Sequence, residues 1–79
     1  MHNMRLCSII EGIQATICVR GLDVRVIVLL QALERYCGAS DDAATWLAMA
    51  ERHAETLERL AVARYEATGK TLVIIGSNR

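Results

Sequence analysis

The chain has 79 residues, with nine Lys and Arg balanced by nine Asp and Glu and hence no formal net charge. So short a chain makes one domain with a modest core, and its charge balance offers neither a basic excess for nucleic-acid phosphates nor an acidic excess that imitates them. Its uncharged stretches, such as Gly12 to Val19 and Val26 to Leu33, fall far short of the roughly 20 apolar residues that a membrane helix needs.

Glu11 interrupts the apolar N-terminal run and no small-residue cleavage site follows it, which argues against a signal peptide. Cys7, Cys18 and Cys37 form no CxxC pair and leave an odd thiol in any disulfide scheme, the usage expected of a reducing cytoplasm. There is no Pro, no low-complexity stretch and no repeat, so residues 1–79 are expected to form a single α+β domain.

From Met4 to Leu30 the residues alternate with a period of two, interrupted at Glu11-Gly12 and at Gly21-Leu22. Read as two-residue hairpin loops, these turns predict a three-stranded antiparallel meander over about 4–10, 13–20 and 23–30. Ile10 then faces Ile13, and Arg20 faces Asp23 as an ion pair. One face carries Met4, Leu6, Ser8 and Ile10, then Ile13, Ala15, Ile17 and Val19, then Val24, Val26, Val28 and Leu30. The other carries Arg5, Cys7, Ile9 and Glu11, then Gln14, Thr16, Cys18 and Arg20, then Asp23, Arg25, Ile27 and Leu29, a mixture suited to partial exposure.

A second reading makes Asp23 the cap of a helix ending at Gly38, which gives a β-hairpin, two helices and a C-terminal strand. The crowd of β-branched residues at Val24, Val26, Ile27 and Val28 favours the strand, with a short helical piece over 31–37 in either case. Ser40-Asp41-Asp42 then offers a helix cap, and helical spacing predicts one long helix over about 41–68, stopped by Gly69. Ala43, Leu47, Ala50, Ala54, Leu57, Ala61 and Tyr65 form a small-residue stripe that suits close packing on the apolar face of the meander. Thr71 to Ile75 begins a last strand over 71–76, apolar on both faces and better suited to the sheet interior or a subunit contact than to a free edge.

Little in this pattern points to chemistry. Ala67-Thr68-Gly69-Lys70-Thr71 ends like a phosphate-binding loop but lacks its first Gly, and it joins a helix end to a strand where such a loop joins a strand to a helix N-terminus. His53 has no Cys, Asp or Glu at metal-binding spacing on its face and reads as a partly buried packing residue. Cys7 and Cys18 lie diagonally on the mixed face, as small half-buried residues or as an intersubunit disulfide in an oxidised sample. No Ser, Cys or carboxylate pair accompanies a recognisable base or oxyanion motif, so no enzyme, cofactor or metal is expected.

Surfaces left over suggest binding instead. An unbroken helix of about 28 residues spans roughly 42 Å, against about 23 Å for a seven-residue strand, so it would overhang the sheet. Its flank of Trp46, Met49, His53, Leu60 and Arg64 places residue types that interfaces favour, and the candidate partner-binding residues are Trp46, Met49, Arg52, His53, Arg59 and Arg64. A second candidate surface, for a dimer or another contact, is Cys7, Ile9, Cys18, Arg25 and Ile27 on the mixed sheet face.

In size and in its strand, strand, strand, helix order, the chain resembles the small phage-encoded anti-CRISPR proteins. The resemblance implies stoichiometric binding to a CRISPR effector complex in the host cytoplasm that prevents target-DNA recognition or nuclease recruitment, and it assigns no residue. The alternatives are a small dimeric nucleic-acid-binding regulator using Arg5, Arg20 and Arg25, opposed by Glu11 and Asp23 on the same face, and a structural subunit of a phage or bacterial assembly. The expected partner is thus a larger protein or nucleoprotein complex, with a second copy of the chain as another way to cover the exposed surface.

Overall fold

A computed structural model describes residues 1–39 and 42–76. In chain order these form β1 (His2–Leu6), β2 (Gly12–Val19), β3 (Leu22–Leu29), α1 (Leu30–Cys37), a 3-10 turn (Ala43–Thr45), α2 (Trp46–Arg52), α3 (Ala54–Thr68) and β4 (Leu72–Ile75). The four strands make one sheet in the order β1-β2-β3-β4. The first three are antiparallel and β4 runs parallel to β3. The α+β architecture of meander, helices and C-terminal strand is therefore as the alternation and spacing predict, and Val24 to Leu29 is strand rather than helix.

The strands bury the side that the alternation marks as apolar. Ile13, Ala15, Ile17 and Val19 of β2 and Val24, Val26 and Val28 of β3 are all buried. All of these but Ala15 pack in one cluster with Val73 and Ile75 of β4, Leu33 of α1, Trp46 and Ala50 of α2, and Leu57 and Ala61 of α3. Alternate residues of a strand point to opposite faces, so the helices cover this side and, among the described residues, the other side of the sheet carries no helix.

Both turns differ from their predicted positions. At the second, Val19 pairs with Leu22 across Arg20-Gly21, and both turn residues have positive φ, 54° and 81°. This is the signature of a type I′ turn, whose twist matches that of the strands it joins. The two-residue shift keeps every side chain on its predicted face, but it places Asp23 opposite Cys18. Arg20 consequently pairs not with Asp23 but with Glu66 of α3, at 3.1 Å.

At the first turn, Leu6 rather than Ile10 faces Ile13. Residues 7–11 form a loop closed by the Cys7 N–H donating to the Gly12 carbonyl at 3.1 Å. Gly12 belongs to β2 and not to the turn, because a Cβ there would sit 2.2 Å from the Val28 carbonyl oxygen. Only glycine lets the two backbones approach so closely. Further along β1, Asn3 and Met4 stand opposite the single residue Ala15, a bulge with Asn3 at φ 55°. Met4 thereby packs against the core while Arg5 and His2 face the uncovered side.

The predicted long helix is interrupted. Asp42 Oδ1 accepts the Ala44 N–H at 3.0 Å and caps the 3-10 turn, whereas Ser40 and Asp41 of the expected cap lie outside the described residues. The helix then breaks at His53, which has φ −112° and ψ 24°. Each of the two shorter helices buries its own pair, Trp46 with Ala50 in α2 and Leu57 with Ala61 in α3. Among the described residues the longest helix is α3 with 15 residues, so the overhang argued from an unbroken helix of about 28 does not apply. Gly69 ends α3 in the left-handed conformation at φ 71°, donating to the Tyr65 carbonyl at 2.7 Å.

Strand β4 occupies an open edge of the sheet, a correction to the interior position expected from its apolar composition. Val73 and Ile75 point into the core, and Leu72 and Ile74 point away from it, 50% and 39% exposed.

Candidate functional site

The residues on the predicted helical flank do not form one surface. Trp46 is buried in the core and so is not a surface contact. Met49 is half-buried and packs on that core, and His53 is half-buried at the break between α2 and α3. Arg52 is exposed. Arg59 lies in a shallow groove on α3 with Glu55, Glu58 and Glu66, while Arg64 lines a different crevice, between α3 and α1. The shorter helices and the burial of Trp46 split the flank into these separate parts.

The mixed sheet face holds together better, although two of its predicted members lie elsewhere. Cys7 and Ile9 belong to the loop over 7–11, where Ile9 is 88% exposed. Backbone N–H groups of Ile9 and Ile10 hydrogen-bond the Cys7 thiol and hold its pKa below the ordinary value. Cys18, Arg25 and Ile27 do occupy the uncovered face. All three cysteines are free thiols, and burial pushes Cys37 upward.

The register builds this face row by row. Thr16, Arg25 and Leu72 lie side by side across β2, β3 and β4, and Gln14, Ile27 and Ile74 form the next row. Arg5 extends that second row on β1; with the Gln14 amide turned so that its oxygen faces Arg5, it accepts from Arg5 Nε at 2.6 Å. Ile27, Leu29, Leu72 and Ile74 therefore make an apolar band at the β3–β4 side, and Arg5, Gln14 and Thr16 make a polar border at the β1–β2 side. The band runs to the open edge. In the parallel ladder Arg25 N–H donates to the Thr71 carbonyl at 2.8 Å, so Thr71, Val73 and Ile75 turn their peptide groups toward β3. Leu72 and Ile74 turn theirs outward. Sequence reading named Ile27 and Arg25 but missed Leu72 and Ile74 as contact residues, because the edge position of β4 arises from chain topology.

The three arginines proposed for nucleic acid are not one patch. Arg20 turns toward α3 and its ion pair with Glu66, leaving Arg5 and Arg25 on the uncovered face. Among the described residues no group of three His, Cys, Asp or Glu is placed to hold a metal, and no helix is long and apolar enough to cross a membrane. No protein-family model, no curated protein and no solved structure matches the chain.

Proposed function

We propose that the protein is a small stoichiometric binding protein that occludes a surface of a larger protein or nucleoprotein complex. The observation that carries this reading is the uncovered apolar band of Ile27, Leu29, Leu72 and Ile74 ending at the unpaired edge of β4. An exposed strand edge flanked by apolar side chains is a template for a partner strand, with backbone hydrogen bonds giving affinity and alternate side chains giving specificity. The polar border at Arg5, Gln14 and Arg25 supplies the rim that such contacts favour.

A CRISPR effector complex is the narrower target, supported by the size and element order of the chain, and the free thiols accord with a cytoplasmic setting. The test is target-DNA binding by purified effector complexes with one molar equivalent of the protein added. Wild-type protein abolishes the DNA shift, and Ile74→Asp, which places a charge on the band without entering the core, restores it. If neither the shift nor a stable complex on size exclusion responds to the protein, the target is wrong. Concentration-dependent dimerisation that Ile74→Asp removes assigns the band to a second copy of the chain instead.

A further inference from the structure

On the helical side of the molecule, a crevice of about 550 Å³ opens between α1 and α3 at the end where β4 finishes. It is lined by Gln31, Arg35 and Tyr36 of α1, Leu60 and Arg64 of α3, and Ile75 of β4. The volume lies in the range of small-molecule sites. Ala63 and Ala67 line the α3 side, and side chains so short leave the space between the helices unfilled.

The electrostatics of the crevice are one-sided in a chain with no net charge. The carboxylates of α3 are directed elsewhere: Glu66 pairs with Arg20, Glu58 with the Met1 amine, and Glu55 lies with both along the other groove of that helix. Among the described residues, neither Arg35 nor Arg64 has a carboxylate within ion-pair distance. Arg35 sits in the last turn of α1, where the helix dipole favours a cation. That accounts for one arginine but not for a second, half-buried one across the same crevice. Two arginines, the apolar side chains of Leu60 and Ile75 and a tyrosine lining one crevice match a ligand carrying an oxyanion on a flat apolar body.

We infer that the crevice between α1 and α3 binds a small organic anion, with Arg35 and Arg64 holding its phosphate or carboxylate group and Leu60, Ile75 and the Tyr36 ring covering its apolar part. The crevice is on the opposite side of the sheet from the uncovered band, so this site stands or falls independently of the proposed function.

The experiment is amide chemical-shift mapping of the intact protein, titrated separately with phenyl phosphate, benzoate, inorganic phosphate and benzyl alcohol. Saturable shifts are expected with phenyl phosphate or benzoate, confined to residues 31–36, 60–67 and Gly76. Inorganic phosphate is expected to bind more weakly and benzyl alcohol not at all. Loss of one charge-assisted hydrogen-bonding group in Arg35→Gln or Arg64→Gln should weaken binding about tenfold or more, with Arg59→Gln on the other groove binding like wild type. No saturable shift with either aryl anion at millimolar concentration overturns the site. So do wild-type affinity in both crevice variants, shifts that map elsewhere, and phosphate binding as tight as that of phenyl phosphate.

Discussion

Ile74 and Ile75 are consecutive residues of the same type in the same strand, and they provide a controlled test of the one-sided sheet. Ile75 is 4% exposed and packs in the core, whereas Ile74 is 39% exposed on the side that carries no helix. Truncating a buried isoleucine to alanine loses its transfer free energy and leaves a cavity, a cost of about 2–5 kcal/mol. At Ile74 the removed methyl groups already touch water in part and no enclosed cavity forms, so Ile74→Ala should cost only about 1 kcal/mol. The two share strand and β propensity, so the difference of about 1–4 kcal/mol isolates burial. A chain of this length is expected to have a total stability of roughly 4–12 kcal/mol, so Ile75→Ala risks unfolding the protein. Ile75→Val, at about 0.5–1.5 kcal/mol, supplies a measurable second point. Urea denaturation followed by circular dichroism reads all three, repeated at a tenfold higher protein concentration to separate folding from self-association. Equal destabilisation by the two alanine variants at low concentration would refute the one-sided sheet and the contact surface built on it.

Three further outcomes follow from local geometry and from the thiols. Gly12→Ala drives a Cβ to within 2.2 Å of the Val28 carbonyl oxygen, a backbone clash that only separation of β2 from β3 relieves. It should destabilise the fold by at least about 2 kcal/mol, while Gly21→Ala, with nothing near its Cβ, pays only for its positive φ; thermal melts of the pair give the ranking, and equal losses would contradict the Gly12 packing. Burial raises the Cys37 thiol above its ordinary pKa of 9.0. On the alkaline side the unfolded state therefore loses its proton first, and the stability contribution present below about pH 9.0 is lost as the pH rises through the folded value. Cys37→Ala should flatten the decline measured by urea denaturation above that pH, and an unchanged slope would show that the thiol is not the cause. For Cys7, held down by the Ile9 and Ile10 N–H groups, alkylation near neutral pH should be far faster than for Cys37; mass spectrometry of the labelled peptides gives the order, and equal rates would count against both assignments.

Much of the fold was legible in the residues themselves. Period-two alternation fixes which side chains share a face, and moving the second turn by one residue shifts the pairing by two and preserves it, so the buried set of Ile13, Ile17, Val24, Val26 and Val28 follows from the sequence despite the misplaced second turn. The helix stop at Gly69 and the strand that follows it are equally local, set by a left-handed glycine and an apolar run. Tertiary structure decided everything that depends on which backbone meets which. Gly12 reads as a turn residue until β3 is seen pressed against it. His53 reads as mid-helix until its backbone, at φ −112° and ψ 24°, is seen to divide α2 from α3. The candidate sites belong to this second class. Leu72 and Ile74 become a contact surface only because β4 pairs in parallel with β3 at an edge. Arg35 and Arg64, 29 positions apart, line one crevice only because the crossover from β3 to β4 brings α3 to the same side of the sheet as α1. Local periodicity determines faces, and chain topology determines which faces remain uncovered.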